Sequence, residues 1–426
     1  MKKLLIAALL CGLLTDLSYG AGFALYEFSG RSTAMGGAVM ASTAEPASLA
    51  SNPALITELD GTQVQLGGTV VTAHAKTTIN NKVTGLDETR SLKRDVWFLP
   101  NFYITHKWSD DITFGLGGFS RFGLGGTYRD NHTWYGSNLA YKVKLETFSF
   151  TPTIAIKAND ELSMAMGLEA MTIDFTQNSR YGAGTPLPAS SYEIHGNGLS
   201  WGGNFSLIYR PQWAEKWSLG AMYRTKVKQN LNGYIHTSTG GTIYAPNYST
   251  YPPTLEEVVR NSDAKGSITL PDSISLGIAF RPDDNWTFEI GAVGTMWSAY
   301  DQITIEYKDT ETAPTIHNKK EYKDTIRANF GVEYQFIPKW FARAGYVYDK
   351  SPINEHEMDT LVPVDDRHIA SLGVGYKGET WSADFAYAHL FGRSLKGDSN
   401  TQFGDREMRY SQGRGDMFAL TIGYKF

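Results

Sequence analysis

The sequence predicts an all-β fold, a transmembrane antiparallel β-barrel of about fourteen strands with an N-terminal plug that contains short helices. Three observations carry this. Apolar residues alternate with small or polar ones at a period of two through most of the chain, which belongs to strands with two different faces. The segments between these runs are short and long by turns, as in barrels with tight turns at one end and loops at the other. Beyond the first 14 residues, no apolar run approaches the roughly 20 residues that a membrane helix needs. The 43 Gly, 24 Tyr and 10 Trp among 426 residues suit a curved sheet with aromatic belts. Lys and Arg total 39 against 44 Asp and Glu, so the charge balance offers nothing to nucleic acid.

Residues 1–20 read as a secretory leader: Lys2 and Lys3 form a basic start, Leu4 to Leu14 an apolar core, and Ser18 and Gly20 sit where signal peptidase prefers small residues. The core is too short to span about 30 Å of hydrocarbon as an anchor. Leu10, directly before Cys11, is too large for a lipoprotein signal, so the single cysteine leaves with the leader. The mature chain then has no disulfide and no cysteine-based site.

Residues 21–58 do not look like barrel. They mix turn formers, as in Met35-Gly36-Gly37-Ala38, with helix-like stretches at Ala47 to Ala50 and Ala54 to Glu58. Phe23, Leu25, Tyr26 and Phe28 are too apolar for a solvated tail. A fourteen-stranded barrel has room inside for such a segment, and it is read as an internal hatch.

Residues 59–426 supply the strands, at about 61–76, 95–107, 111–121, 143–157, 162–176, 198–210, 217–229, 270–281, 286–300, 324–337, 340–348, 367–377, 380–391 and 415–426. In the last, Phe418, Leu420, Ile422, Tyr424 and Phe426 share one face while Ala419, Thr421, Gly423 and Lys425 share the other. Met164, Met166 and Leu168 alternate in the same way with Ala165, Gly167 and Glu169, and Trp381 and Phe385 with Ser382 and Asp384. A soluble β-sandwich alternates similarly. Aromatics recurring at strand ends and the terminal Phe426 favour a membrane barrel. Short connections fall near Ser109-Asp110, Asn159-Asp160, Pro211 to Lys216, Pro282 to Asn285, Pro338-Lys339 and Gly378-Glu379, which would put both termini on the periplasmic side. In the longest loop, Thr254 to Val259 predict a short helix. The third strand is crowded by Gly115, Gly117, Gly118, Gly123, Gly125 and Gly126, and glycines in strands mark bulges, bends or poor pairing.

Catalytic motifs are missing. There is no Walker loop, GxSxG elbow, HExxH or EF-hand loop. The nine histidines show no metal-ligand spacing, and His368 beside Asp365 and Asp366 reads as a strand-end polar cluster. No enzyme activity, cofactor or metal is expected.

The start AGFALYEFSG, the stretch PASLASNPALITELDG with its Asn52-Pro53-Ala54, and the runs YKDTIRANFGVEY and YDKSPI resemble the corresponding parts of the FadL/TodX family of outer-membrane channels for hydrophobic molecules. The resemblance spans the mature chain and is weakest in the loops. It implies passive uptake without ATP or an ion gradient: a ligand gathers in an external groove, moves to a tighter pocket inside the barrel, and leaves sideways into the bilayer through a gap in the wall as the hatch moves. Asn52, Pro53 and Ala54 would be the hatch segment facing the wall, and Phe23 the N-terminal aromatic displaced by ligand. The lateral opening would lie at a kink in the third strand, at Arg121, Phe122, Gly123 and Gly125. Cations for a fatty-acid carboxylate would correspond to Arg180 and to the vicinity of Asn318, Lys319 and Lys320, with Asn318 at the matching position. The implied partners are a long-chain fatty acid or other hydrophobic small molecule, outer-membrane lipid, and the barrel-assembly machinery reading Phe426, with a monomer in the outer membrane. Aromatic hydrocarbons, as for the TodX branch, are the alternative cargo. An outer-membrane phospholipase or esterase and a general porin are the alternatives from other classes.

Overall fold

The structure, a computed structural model, describes residues 22–81, 83–186, 189–247, 254–308, 315–361, 366–401 and 404–426. The expected leader at 1–20 and Ala21 lie outside the described residues.

Fourteen antiparallel strands form the wall. They are β1 (Thr62–Asn81), β2 (Val96–Lys107), β3 (Ile112–Phe119, resuming as Gly123–Thr127), β4 (Lys142–Lys157), β5 (Leu162–Tyr181), β6 (Ser190–Tyr209) and β7 (Trp217–Arg224, resuming as Val227–Thr237). The others are β8 (Ser262–Leu270, resuming as Ser273–Phe280), β9 (Trp286–Thr295, resuming as Gln302–Tyr307), β10 (Ile316–Lys319, resuming as Thr325–Ile337), β11 (Trp340–Asp349), β12 (Arg367–Lys377), β13 (Trp381–Gly392) and β14 (Gly404–Lys425). Each pairs with the next, and β14 pairs with β1 from Gln63–Lys425 to Ile79–Met408, so the ring closes.

The two faces follow the sequence alternation. On β5, Met166 and Leu168 point outward at 64% and 54% exposure, while Ala165 and Glu169 are buried in the lumen. Phe418, Leu420 and Ile422 are exposed on β14 and Ala419 and Thr421 are buried. Near the short turns, Trp286 stacks on Tyr334, Trp340 tilts against Tyr376, and Trp381 meets Tyr424 edge-on, forming an aromatic girdle. Away from the turns the strands run on past this apolar band, with Leu86–Ser91 and Leu395–Thr401 hairpinned onto β1 and β14.

One expectation fails here. Residues 254–259 are not helical: Thr254–Arg260 is a strand paired with Thr242–Asn247. A single helical turn leaves most of its backbone groups unsatisfied, whereas the neighbouring segment offers β-branched Val259 a ladder and a buried place beside Ile243.

Residues 22–61 sit against the inner faces of the wall. Helix α1 (Gly30–Ala34) packs against β11 to β14, and α2 (Ser48–Ser51) against β3. A 3₁₀ turn at Pro53–Glu58 touches β3 to β6 on the other side. Ser29 caps α1 by accepting from the Ser32 amide, and Gly36 and Gly37, at φ +62° and +80°, end it. Wall glycines make room for this backbone: a Cβ on Gly345 would lie 2.3 Å from the Gly36 nitrogen, and one on Gly220 would lie 2.1 Å from the Met40 oxygen. Much of the glycine content therefore reflects wall and plug in close approach.

Candidate functional site

The wall is incomplete beside β3. Pairing of β2 with β3 runs from Lys107–Thr113 to Phe102–Gly118 and then stops. The two sides meet again at the loop end, where the Lys93 amide donates to the Thr127 carbonyl at 2.7 Å, the Arg129 amide donates to the Ser91 carbonyl at 2.9 Å, and Leu92 bridges Tyr128. On its other edge β3 keeps its partner but carries a bulge: Phe119 lies opposite Ser149 and Gly123 opposite Glu146, so β3 spends one residue more than β4.

The N-terminal segment uses the freed backbone groups from inside. The Leu25 amide donates to the Arg121 carbonyl at 2.8 Å, the Gly123 amide donates to the Phe23 carbonyl at 3.0 Å, and Ala24 forms a bridge with Phe122. Phe23 is 3% exposed, edge-on to Phe122, Trp297 and Tyr300 at centroid distances of 5.9, 4.8 and 5.2 Å. The preceding Gly22 is required by the Trp297 ring, which a Cβ there would meet at 2.5 Å.

A cavity of about 1070 Å³ passes this point. Its inner part is lined by Phe23, Leu25, Val71, Ile369, Leu390 and Met417, with the guanidinium groups of Arg327 and Arg367. It continues past Leu99, Gly123 and Gly125 to the outward-facing Phe98, Phe148 and Leu199. Its volume stands at the top of the roughly 300–1,000 Å³ range of ligand pockets. A second cavity of about 50 Å³, on the far side of Ala24, Leu25 and Phe122, touches Arg121 and Arg224.

Below the cavity the plug is tied to the wall by buried polar groups. Arg31 reaches Glu333 at 3.0 Å, Glu333 also accepts from Arg343, and Arg343 donates to Asp384 at 2.6 Å. Glu289 accepts from the Met40 and Ala41 amides. Asn52 is fully buried; its Nδ2 donates to the carbonyls of Met40 at 2.7 Å and Leu207 at 3.0 Å, and its Oδ1 accepts from the Ala54 amide at 3.2 Å. The Ala54 amide also donates to Ser206 Oγ at 3.0 Å. Pro53 opens the 3₁₀ turn, where an amide would have no partner. Asn52 itself is extended, at φ −142° and ψ 92°. Its use is thus in its side-chain hydrogen bonds.

Phe23, Phe122, Gly123 and Gly125 come together at the large cavity, and Asn52, Pro53 and Ala54 meet β6 through Leu207 and Ser206. Arg121 turns away and pairs with the buried Glu169 at 2.7 Å. Arg180, Lys319 and Lys320 do not line the cavity. Arg180 bonds Asn131 and lies 4.0 Å over the Tyr141 ring, Lys319 is exposed beside Glu321, and Lys320 is buried against Asp359. Loop-end pairing, rather than spacing along the chain, fixes these three. His368 bonds Tyr346 while Asp366 accepts from Tyr348 and the Ser351 amide, so these two form no dyad. Among the described residues, no cluster of His, Cys, Asp or Glu could hold a metal.

Sequence reasoning missed three arginines that line the cavity, Arg327, Arg367 and Arg414. The signal was present in β10, where Arg327, Asn329 and Glu333 fall on the lumen face and Ile326 and Phe330 on the outward one.

The chain matches the family model described as outer membrane protein transport protein (OMPP1/FadL/TodX) over residues 12–426. It is 24% identical to the long-chain fatty acid transport protein of Escherichia coli K12, with 98% of this chain and 97% of that protein covered. Among solved structures it is similar to a Pseudomonas aeruginosa FadL homologue, with TM-score 0.82, 20% identity and 95% and 100% of the two chains covered. Similarity to the toluene transporter TodX of Pseudomonas putida gives TM-score 0.67 at 17% identity over 96% and 99%.

Proposed function

Because the chain belongs to the OMPP1/FadL/TodX family of outer-membrane transport proteins, we propose that it is a channel for passive uptake of long-chain fatty acids, with plug movement linked to ligand and lateral exit beside β3. The observation that carries this is the single cavity joining the lumen residues Phe23 and Met417 to the outward-facing Phe98 and Leu199 through the unpaired stretch of wall. A ladder-paired wall would separate these two sides. Here the side chains of Phe23 and Leu25, two backbone hydrogen bonds and the Trp97 ring against Gly125 stand across the inner mouth.

In this reading the ligand enters among the loops and rests on the apolar lining. It then displaces the Phe23 ring from Phe122, Trp297 and Tyr300 and passes between β2 and β3. Partition into lipid, at about 0.8 kcal/mol for each buried CH₂, supplies the direction. The protein is then no enzyme and needs no cofactor or metal. It works as a monomer, with both termini periplasmic and Phe426 read by the barrel-assembly machinery. Leader removal would leave residues 21–58 as the hatch and 59–426 as the barrel. A monoaromatic cargo would need the apolar slot alone and is the reading to be separated from this one.

The test is uptake of labelled oleate by cells that lack their own uptake channel and express this chain. A Cβ at Gly125 would meet the Trp97 ring at 2.2 Å and one at Gly123 would reach Leu25 at 3.1 Å. Bulky residues there should stop uptake while the barrel still folds, and so should alteration of residues 51–55. Normal uptake by a folded Gly123→Trp variant would overturn the lateral exit. Ester hydrolysis by purified protein, or a large open conductance, would point to a hydrolase or a general porin instead.

A further inference from the structure

We propose that Arg327 and Arg367, on either side of Asp349, form an anion subsite in the large cavity that takes the compact anionic head of an amphiphile, a carboxylate above all. The inference rests on the channel reading and says what class of molecule it selects.

The three residues form one cross-strand row. Arg327 on β10 lies opposite Asp349 on β11, and Asp349 lies opposite Arg367 on β12. A shared lumen face follows from the pairing alone. Asp349 Oδ2 receives both cations, at 3.5 Å from Arg327 Nη1 and 2.9 Å from Arg367 Nη2. Two guanidinium groups thus share one carboxylate, leaving a surplus positive charge in a site where the side chains of Arg327, Asp349 and Arg367 are 6%, 2% and 16% exposed.

Donor capacity is also left over. The Nε atoms of Arg327 and Arg367 are both buried without a hydrogen-bond partner. Arg327 is otherwise held loosely, with Nη2 3.4 Å from the Gly36 carbonyl and its guanidinium carbon 4.2 Å over the Tyr26 ring. Buried guanidinium donors without an acceptor are costly, and a planar fork suits a carboxylate. Beside the pair, Val71, Ile369, Leu390 and Met417 form a continuous apolar strip in the same cavity, which fits the first carbons of a chain attached to that head.

The other buried charges in the lumen do not offer this. Arg31, Glu333, Arg343 and Asp384 balance two against two. Arg121 and Arg224 flank Glu169 but face the cavity of about 50 Å³, which is too small for a head and a chain. The remaining charged groups lining the large cavity are Glu27, which accepts from the Tyr26 amide at 3.0 Å, Arg414 and His74 opposite each other on β14 and β1, and Glu146 and Asp174 outside the seam.

The experiment is titration of the purified full-length protein in neutral detergent with oleate and with oleyl alcohol, followed by tryptophan fluorescence and calorimetry. The expected result is tighter binding of oleate, with Arg367→Gln and Arg327→Gln each weakening oleate by about ten- to hundredfold and leaving the alcohol unchanged. Asp349 keeps one arginine in either variant, and retained alcohol binding reports an intact cavity. Equal binding of acid and alcohol by the unmodified protein, or equal weakening of both in the variants, overturns the subsite and leaves the channel reading standing. Binding of neither probe overturns both.

Discussion

Replacing Asn52 by alanine tests how the plug is held. The side chain is fully buried and donates to two carbonyls, those of Met40 and Leu207, while accepting from the Ala54 amide. Alanine removes all three bonds. The Ala54 amide keeps Ser206 Oγ at 3.0 Å, so it is not orphaned. The Met40 carbonyl loses the side-chain donor it has, and the Leu207 carbonyl loses one of two possible partners. At about 1–3 kcal/mol for a buried group left unsatisfied, and about 1 for a partner weakened, the change amounts to about 2–4 kcal/mol. That loss falls on the plug, because the wall ladder between β6 and β7 does not depend on Asn52. Hydrogen–deuterium exchange of the folded protein in detergent, read by mass spectrometry, should show peptides spanning 38–56 exchanging about thirtyfold faster or more, with wall peptides unchanged. Unchanged exchange at 38–56, or a uniform rise through the wall, would refute the assignment of Asn52 as a plug-to-wall fastening.

Three further changes follow from the same geometry. Arg121→Met leaves Glu169, 0% exposed, without its partner; a loss of about 3–5 kcal/mol is expected in urea unfolding followed by gel mobility, with much of it recovered in the double variant Arg121→Met, Glu169→Gln. Gly345→Val places a Cβ 2.3 Å from the Gly36 nitrogen, so the barrel should fold with a displaced α1 and residues 22–61 should become open to protease; protection equal to the unmodified protein would count against close contact there. Trp381→Ala removes the edge-on contact with Tyr424 at 4.7 Å in the girdle, and about 1–2 kcal/mol should be lost in unfolding from lipid vesicles.

The barrel was legible because period-two alternation reports directly on a strand with lipid on one side and lumen on the other. All fourteen wall strands begin and end near their sequence positions at the turn end, where Trp217, Trp340 and Trp381 mark the boundary. At the loop end the reading fell short. Gln177, Asn178 and Ser179 extend β5 beyond the predicted end, and with water or polar surface on both faces no alternation betrays them. The same blindness turned the strand at Thr254–Arg260 into an expected helix. Phe23, Phe122 and Gly123 are named through the resemblance of short segments to a family, and the structure brings them together at one cavity. Arg327 and Arg367 acquire meaning only through Asp349, and that row exists only in the register of three strands.

The depth of the break in the wall also follows a rule. Backbone amides and carbonyls without a ladder partner are expensive in hydrocarbon and cheap among hydrated headgroups. Pairing of β2 with β3 holds through Ile104 and Leu116, whose side chains belong to the apolar band, and ends at Phe102–Gly118. Just outside that point the rings of Phe102, Phe148 and Phe150 cluster, and the next outward residue on β4 is Glu146. Under the proposed lateral exit, the wall would part at the upper rim of the acyl layer, the level at which an amphiphile floats by itself, head in water and chain in the leaflet.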